Sequence, residues 1–409
     1  MVVGSRPIGS IDRIGSVDAL RGLALVGIAL VHVQEHYDCT AGGPTITSLM
    51  QSGIHGALAG KMFALLAICF GFSCHRVASG QLNGARSAAT VVSGRRMIVL
   101  AAIGYAHSLL YRDDILTTLA IVGLLLLPML AIGPRRLLLA AALLCFAQPF
   151  MLVGLVHGVA PVQANAQNMG TDIAGHVYAT GSLADVIRVN AWTGEANKWA
   201  YLLASGRALQ TIGYALIGVI LGRTGFFEDG AFAPWPMRRL LLLAGAAMAA
   251  LIASKLYFPR GWIGTETEAA RQKLLVESWT DLLTSFAYLL LFRTLWSGPM
   301  RKLLQPFCAL GRLSLTFYIG QSLLLVPLFY HFGVGLCDAI GVKEAVLLGL
   351  GAGLAQVPLA IWWRRYFLLG PMEWLWRAGA QARLDIPFRR RNRPAIFEAS
   401  LQSSVAGRS

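Results

Sequence analysis

Apolar runs about 20 residues long recur from one end of this chain to the other, and they leave few folds open. In a bilayer every backbone N–H and C=O must be satisfied within the protein, which restricts such runs to helices or a closed barrel, and runs this long and continuous are helical. Composition agrees: 56% of the 409 residues are hydrophobic and 13% charged, against about 25% charged in a soluble domain. The expected fold is an all-α polytopic membrane bundle. About ten spans are predicted, near 17–37, 54–78, 95–112, 114–133, 136–158, 201–222, 237–257, 274–296, 307–331 and 343–366.

Charge orients these spans. The net charge is +15, but the cations gather in short connections: Arg76, Arg86, Arg95 and Arg96; Arg135 and Arg136; Arg238 and Arg239; Arg301 and Lys302. Arg364, Arg365, Arg377 and the run Arg389, Arg390, Arg391 follow the last span. With about ten spans and an inside N-terminus, all of these fall on the cytoplasmic side, so both termini are expected there. The basicity is therefore topological. Nucleic acid is not expected as a partner, because no basic patch interleaved with aromatics is present. The predicted organisation is a transmembrane domain, 1–380, with a basic, disordered cytoplasmic tail, 381–409. The polar segment 159–200 is expected to cap the outer face. The first run opens on Asp18 and lacks a small-residue cleavage site, so it reads as a retained span. There are six cysteines and no CxxC. Cys39 and Cys337 fall in loops on the same predicted side, but no spacing rule pairs them, and free thiols are expected.

Ionisable residues inside spans are costly and tend to mark function. The first run, VDALRGLALVGIALVHVQEH, carries Arg21 and His32 with ten residues between them. Eleven steps of about 100° return to within ~20° of the same face, ~16 Å along the axis. Asp18 is placed to pair with Arg21 at i,i+3. The end, HVQEH, matches an inverted zinc-peptidase pattern, with His32 and His36 as ligands, Glu35 as base, and His55, His107 or Asp113 to supply a third ligand. Interfacial His and Glu at the end of a span is the plainer reading, and no metal site is assigned.

The third and fourth spans form a hairpin, RRMIVLAAIGYAHSLLYRDDILTTL. Arg96 and His107 repeat the ten-residue separation. Asp113 or Asp114 at the turn could orient His107 and fix its tautomer, or cap the fourth span. The ninth span carries Tyr318 and Gln321; a primary amide in lipid needs partners, so Gln321 is expected to face the interior. Five of the eight histidines, His32, His36, His55, His107 and His331, map near the outer face.

At this point the motifs resemble a known family. RIGSVDALRGLALVGI, GKMFALLAICFGFS, GYAHSLLYRDDIL, GRTGFF, GRLSLTFYIGQSLL and RRYFLLGPMEWLWR occur in the order found in the YeiB-like bacterial inner-membrane proteins, a family of unassigned function. The resemblance runs from Arg13 to Arg377. That family looks related to the transmembrane acyltransferases, which take an acyl group from cytoplasmic acyl-CoA to an acceptor across the membrane. Its sugar O-acylating members share the Arg, ten residues, His spacing of Arg21 and His32. YeiB-like proteins commonly carry Asn where this chain has His32, so the resemblance favours His107 as the base.

The resemblance thus implies a multi-pass protein of the bacterial inner (plasma) membrane. Arg21 and Arg312 would hold the phosphates of acyl-CoA, a donor substrate and not a resident cofactor. His107 or His32 would act as general base on a small-molecule or cell-surface glycan acceptor, oriented by Asp113 or Asp114. A small-molecule transporter or exporter is the alternative, and a zinc-dependent membrane hydrolase the second. The sequence does not specify an oligomeric state.

Overall fold

The computed structural model describes residues 14–38, 49–81, 86–130, 134–149, 174–228, parts of 239–249, and 266–390 except 338. All of its named elements are helical, and the one β feature is an isolated bridge between Phe367 and Arg389. The N-terminal half comprises α1 (Gly15–Gln34), α2 (Leu49–Leu58), α3 (Lys61–Gln81), α4 (Arg86–Ser108), α5 (Leu116–Leu130) and α6 (Arg135–Ala147). Then come α7 (Leu183–Val189), a π-turn (Asn190–Gly194), α8 (Glu195–Ala204) and α9 (Arg207–Thr224). The C-terminal half comprises α10 (Glu266–Trp296), α11 (Arg301–Leu304), α12 (Phe307–Arg312), α13 (Ser314–Phe329), α14 (Val342–Tyr366) and α15 (Pro371–Gln381).

Among the described residues, four helices are long and apolar enough to cross a bilayer: Gly15–Gln34, Gly53–Ser79, Arg271–Trp296 and Val342–Tyr366. The pair Leu183–Ala204 and Arg207–Thr224, bent by 71°, makes a fifth if it is one span. Side-chain placement fits a lipid solvent. Leu323 and Leu324 on α13 are 56% and 73% exposed, and Leu347, Leu354, Leu359 and Trp362 on α14 also point outward. In water that much exposed apolar surface would be a liability. The chain is a multi-pass membrane protein.

Several expected boundaries move. The run at 201–222 is interrupted at Ser205–Gly206, because Gly206 adopts a left-handed φ of 71°. The run at 307–331 breaks at Leu313, whose φ of −113° and ψ of 26° leave the helical region. Helices α5 and α13 are apolar but shorter than a full crossing. The run at 237–257 lies mostly outside the described residues. Residues just beyond Gln381, expected as free tail, run back along α14. Leu368 N donates to Phe388 O at 2.9 Å, Arg390 N donates to Tyr366 O at 3.0 Å, and the Phe388 ring packs among Trp363, Phe367 and Trp374.

Helix α1 is the central post, packed against α3, α12 and α14. Its contact with α12 is backbone to backbone. A Cβ at Gly311 would strike the Asp18 carbonyl, and one at Gly22 would strike the Phe307 carbonyl. Small residues let membrane helices approach this closely, where dispersion and not the hydrophobic effect holds them. As expected, Gln321 is buried, its Nε2 donating to Leu25 O at 3.2 Å and to Gln356 Oε1 at 2.9 Å.

Candidate functional site

The site is built on the turn between α4 and α5. His107 lies in the last turn of α4, and Asp114 precedes α5. Asp114 Oδ2 accepts from Thr117 N and Thr117 Oγ1, each at 2.8 Å, which caps the exposed amides of the first turn. Its other oxygen, Oδ1, is 2.8 Å from His107 Nδ1. Capping and histidine orientation, weighed as alternatives from sequence, are performed by the same carboxylate. Gly104 makes room for it, since a Cβ there would come within 2.6 Å of Thr117 N and 2.8 Å of Asp114 Oδ2.

A carboxylate only accepts, so His107 donates through Nδ1–H, and in the neutral ring the lone pair resides on Nε2. That Nε2 is buried and has no hydrogen-bond partner among the described residues. The pair is sealed: His107 is 5% exposed and Asp114 1%. Tyr318 of α13 braces the far side, its ring centroid 5.2 Å from that of His107 and its hydroxyl accepting from Ile115 N at 3.2 Å.

His32 approaches the same place from α1. Its Nδ1 is 2.8 Å from the Tyr111 hydroxyl, and Tyr111 also stands edge-on to His107 at 6.4 Å. His32 Nε2 and the Tyr37 hydroxyl are, like His107 Nε2, buried without a partner among the described residues. Buried polar atoms are rarely left unmet, and such a group calls for an explanation. Above them Tyr37, Tyr111, Tyr178, Phe329 and Tyr330 form a closed aromatic layer. Tyr178 and Tyr330 stack at 4.5 Å, Tyr330 OH donates to Tyr37 O at 3.0 Å, and Asn190 Nδ2 donates to Leu109 O at 3.1 Å, fastening the 183–204 segment over the hairpin.

The remaining sequence candidates divide. Asp113 is not the carboxylate on His107: its side chain is 45% exposed and pairs with Arg112 Nε at 3.7 Å, while its charge still reaches His32 and Tyr318. Arg21 and Arg312 come together at the other end of α1, about Asp18. Arg312 Nε is 2.8 Å from Asp18 Oδ2, and Arg21 Nη1 is 3.8 Å from Asp18 Oδ1, the expected i,i+3 pair. Arg21 Nη2 also donates to Ser73 Oγ at 2.8 Å. One carboxylate thus serves two guanidiniums, which leaves a positive charge over.

The zinc pattern loses its geometry. Helix α1 ends at Gln34, and His36 takes a left-handed φ of 50°, so His32 and His36 do not share a helical face. His36 stacks on Phe329 at 5.6 Å, while Glu35 turns to His55 at 3.2 Å. Among the described residues no three His, Cys, Asp or Glu side chains are grouped to hold a metal. The expectation of free outer thiols is also corrected: Cys337 is disulfide-bonded, whereas Cys69, Cys74, Cys145 and Cys308 are free. Cys39 lies outside the described residues.

Sequence reasoning missed the support behind Asp114. Lys198 of α8 donates to Thr117 Oγ1 at 3.0 Å and to Glu195 Oε1 at 2.5 Å, and Trp199 Nε1 donates to Glu195 Oε2 at 3.1 Å. Glu195 and Lys198 are three apart on one helix, a legible pair; their meeting with Thr117, 81 positions earlier, has no local signal. Tyr111, four residues after His107, lies past the end of α4, and no helical period relates it to His32.

Residues 221–383 match the family described as "Protein of unknown function (DUF418)". The chain is similar to the "Uncharacterized protein YxaH" of Bacillus subtilis (strain 168), 28% identical over 399 residues, covering 90% of this chain and 94% of that protein. It is likewise similar to the "Uncharacterized protein YeiB" of Escherichia coli (strain K12), 27% identical over 414 residues, covering 90% of this chain and 96% of that protein. The motifs read in the sequence and these similarities agree: residues 221–383 match the DUF418 family, and the chain as a whole is similar to YeiB and YxaH.

Proposed function

We propose that this protein is a transmembrane acyltransferase, moving an acyl group from cytoplasmic acyl-CoA to an acceptor at the outer side of the bacterial inner membrane. The observation that carries the reading is the buried His107 Nε2, left without a partner while Asp114 fixes the proton on Nδ1. That is the arrangement of a neutral general base. His107 Nε2 takes the proton of an acceptor hydroxyl or amine as its oxygen or nitrogen attacks the thioester carbonyl. The C–S bond then breaks, and the departing thiolate receives that proton back from His107. Asp114 stabilises the imidazolium between these steps, and Thr117 and Lys198 hold Asp114 in place.

Arg21 and Arg312 sit at the opposite, predicted cytoplasmic end of α1. Their uncompensated charge suits the phosphates of CoA, whose extended pantetheine arm would run toward His107. His32 lies beside the base as an acceptor-positioning residue. About ten spans with both termini cytoplasmic is the topology that puts donor and acceptor on opposite sides. Calorimetry of the purified protein in detergent tests the reading: saturable CoA binding that weakens at least tenfold in Arg21→Gln is expected, and no CoA binding would overturn it.

A small-molecule transporter is the second reading. It is favoured by the ion pair of Lys61 Nζ with Asp281 Oδ1 at 2.7 Å, since charges within spans often mark proton-coupled paths. It requires substrate flux without CoA that collapses when the proton gradient is removed.

A further inference from the structure

Away from His107, a narrow pocket opens between α3, α4, α5 and α15. Phe70, Val77, Met97, Leu127 and Leu130 give it an apolar wall, and Arg96, beside Ser73 and Ser93, gives it a polar end. Trp376 holds Arg96: the guanidinium lies 4.5 Å over the Trp376 ring, and Trp376 Nε1 donates to Arg96 O at 2.6 Å. Among the described residues no carboxylate pairs with it. A guanidinium at the inner end of a span normally meets an anion or snorkels to the lipid–water boundary, keeping its head out of the apolar interior. Here it stays on the pocket wall.

We infer that this pocket binds an amphiphilic oxyanion, with a phosphate or carboxylate headgroup on Arg96 and its alkyl or acyl arm along Phe70, Met97 and Leu127. Guanidinium is the side chain best matched to such a headgroup, offering paired N–H donors. The elongated apolar wall beside it selects against a bare inorganic anion. Two sources share this chemistry: an anionic bilayer lipid, and a soluble acyl donor bearing phosphates. The second would place the ligand next to Arg21, because Ser73 lines this pocket and also accepts from Arg21.

The test is calorimetric titration of the full chain in dodecyl maltoside with octyl phosphate. One saturable site per chain is expected, weakened at least tenfold in Arg96→Gln and in Leu127→Phe, which fills the apolar wall but keeps the charge. Arg95→Gln, at the exposed neighbouring position, is expected to bind as wild type does. Thermal melts of each variant separate lost binding from lost fold, and Leu127→Phe serves if Arg96→Gln fails to fold. Displacement by phosphatidylglycerol would identify the lipid source and displacement by acetyl-CoA the soluble one; both support the site. Equal binding to Arg96→Gln, equal binding of 1-octanol, or inorganic phosphate binding as tightly as octyl phosphate would each overturn it. Loss of acyl transfer with octyl phosphate binding intact would count against the acyltransferase reading and leave this pocket standing.

Discussion

His107 Nδ1 and Asp114 Oδ1 are 2.8 Å apart, and both side chains are shut off from solvent. The contact sets which ring nitrogen carries the proton, so its removal should affect chemistry more than fold. Asp114→Asn can hold the ring equally well through either amide atom and so loses the tautomer lock. We expect acyl transfer to fall by about 10²–10⁴-fold with little change in melting temperature. Asp113→Asn, altering an exposed carboxylate, should stay within about twofold of wild type, since solvent screens an exposed charge.

His32 touches the site through Tyr111, without a carboxylate of its own. His32→Asn keeps a polar group able to meet the Tyr111 hydroxyl, and we expect turnover within about tenfold of wild type, the scale of one positioning hydrogen bond. His107→Asn should remove turnover altogether. Parallel steady-state assays of the two variants check the ranking. Equal losses would make the two histidines a joint base.

The parts legible in sequence were those set by periodicity and local spacing. The spans at 17–37, 54–78, 274–296 and 343–366 correspond to helices that meet the length and hydropathy of a crossing, because 20 apolar residues in lipid have no other conformation. The hairpin carrying His107 was legible from the same pattern. The choice between Asp113 and Asp114 was not, because it depends on how one turn directs adjacent side chains. Nor was the end of α1 at Gln34, where backbone torsion and not composition removes His36 from the helical face. Lys198 and Thr117 meet across 81 positions, and no helical period relates them.

Glu373 supports the site from a distance. Past the last long apolar helix, its carboxylate accepts from Leu315 N, Thr316 N and Thr316 Oγ1 at 2.7, 3.1 and 2.6 Å, capping α13, the helix that carries Tyr318. Glu373→Ala strips that cap and should cost about 1–2 kcal/mol, read as a lower melting temperature in detergent. Burial raises the Glu373 carboxyl above the ordinary glutamate range, outweighing these hydrogen bonds. Protonation is therefore easier in the folded chain than in the unfolded one. Its contribution is complete below the unfolded glutamate pKa and is lost as pH rises through the raised value. Glu373→Gln should flatten the fall of melting temperature with pH across that window; an unchanged slope would place the dependence elsewhere.

The cysteines give a count that needs no activity. Among the described residues four thiols are free and Cys337 is bonded, in a chain with six cysteines. Denatured, unreduced protein should react with fewer than six equivalents of a thiol reagent, and with six after reduction. Six before reduction would contradict the disulfide.

The central claim is that His107 is the base for acyl transfer. Its most direct measurement uses membranes from cells producing the protein, where the natural acceptor is present, incubated with acetyl-CoA labelled in the acetyl group. Wild-type membranes should move label from CoA into a non-CoA product, while His107→Ala membranes, with equal protein in the bilayer, should remain at the background of membranes lacking the protein. Label transfer by His107→Ala at the wild-type rate, or none by the wild type, would contradict the account.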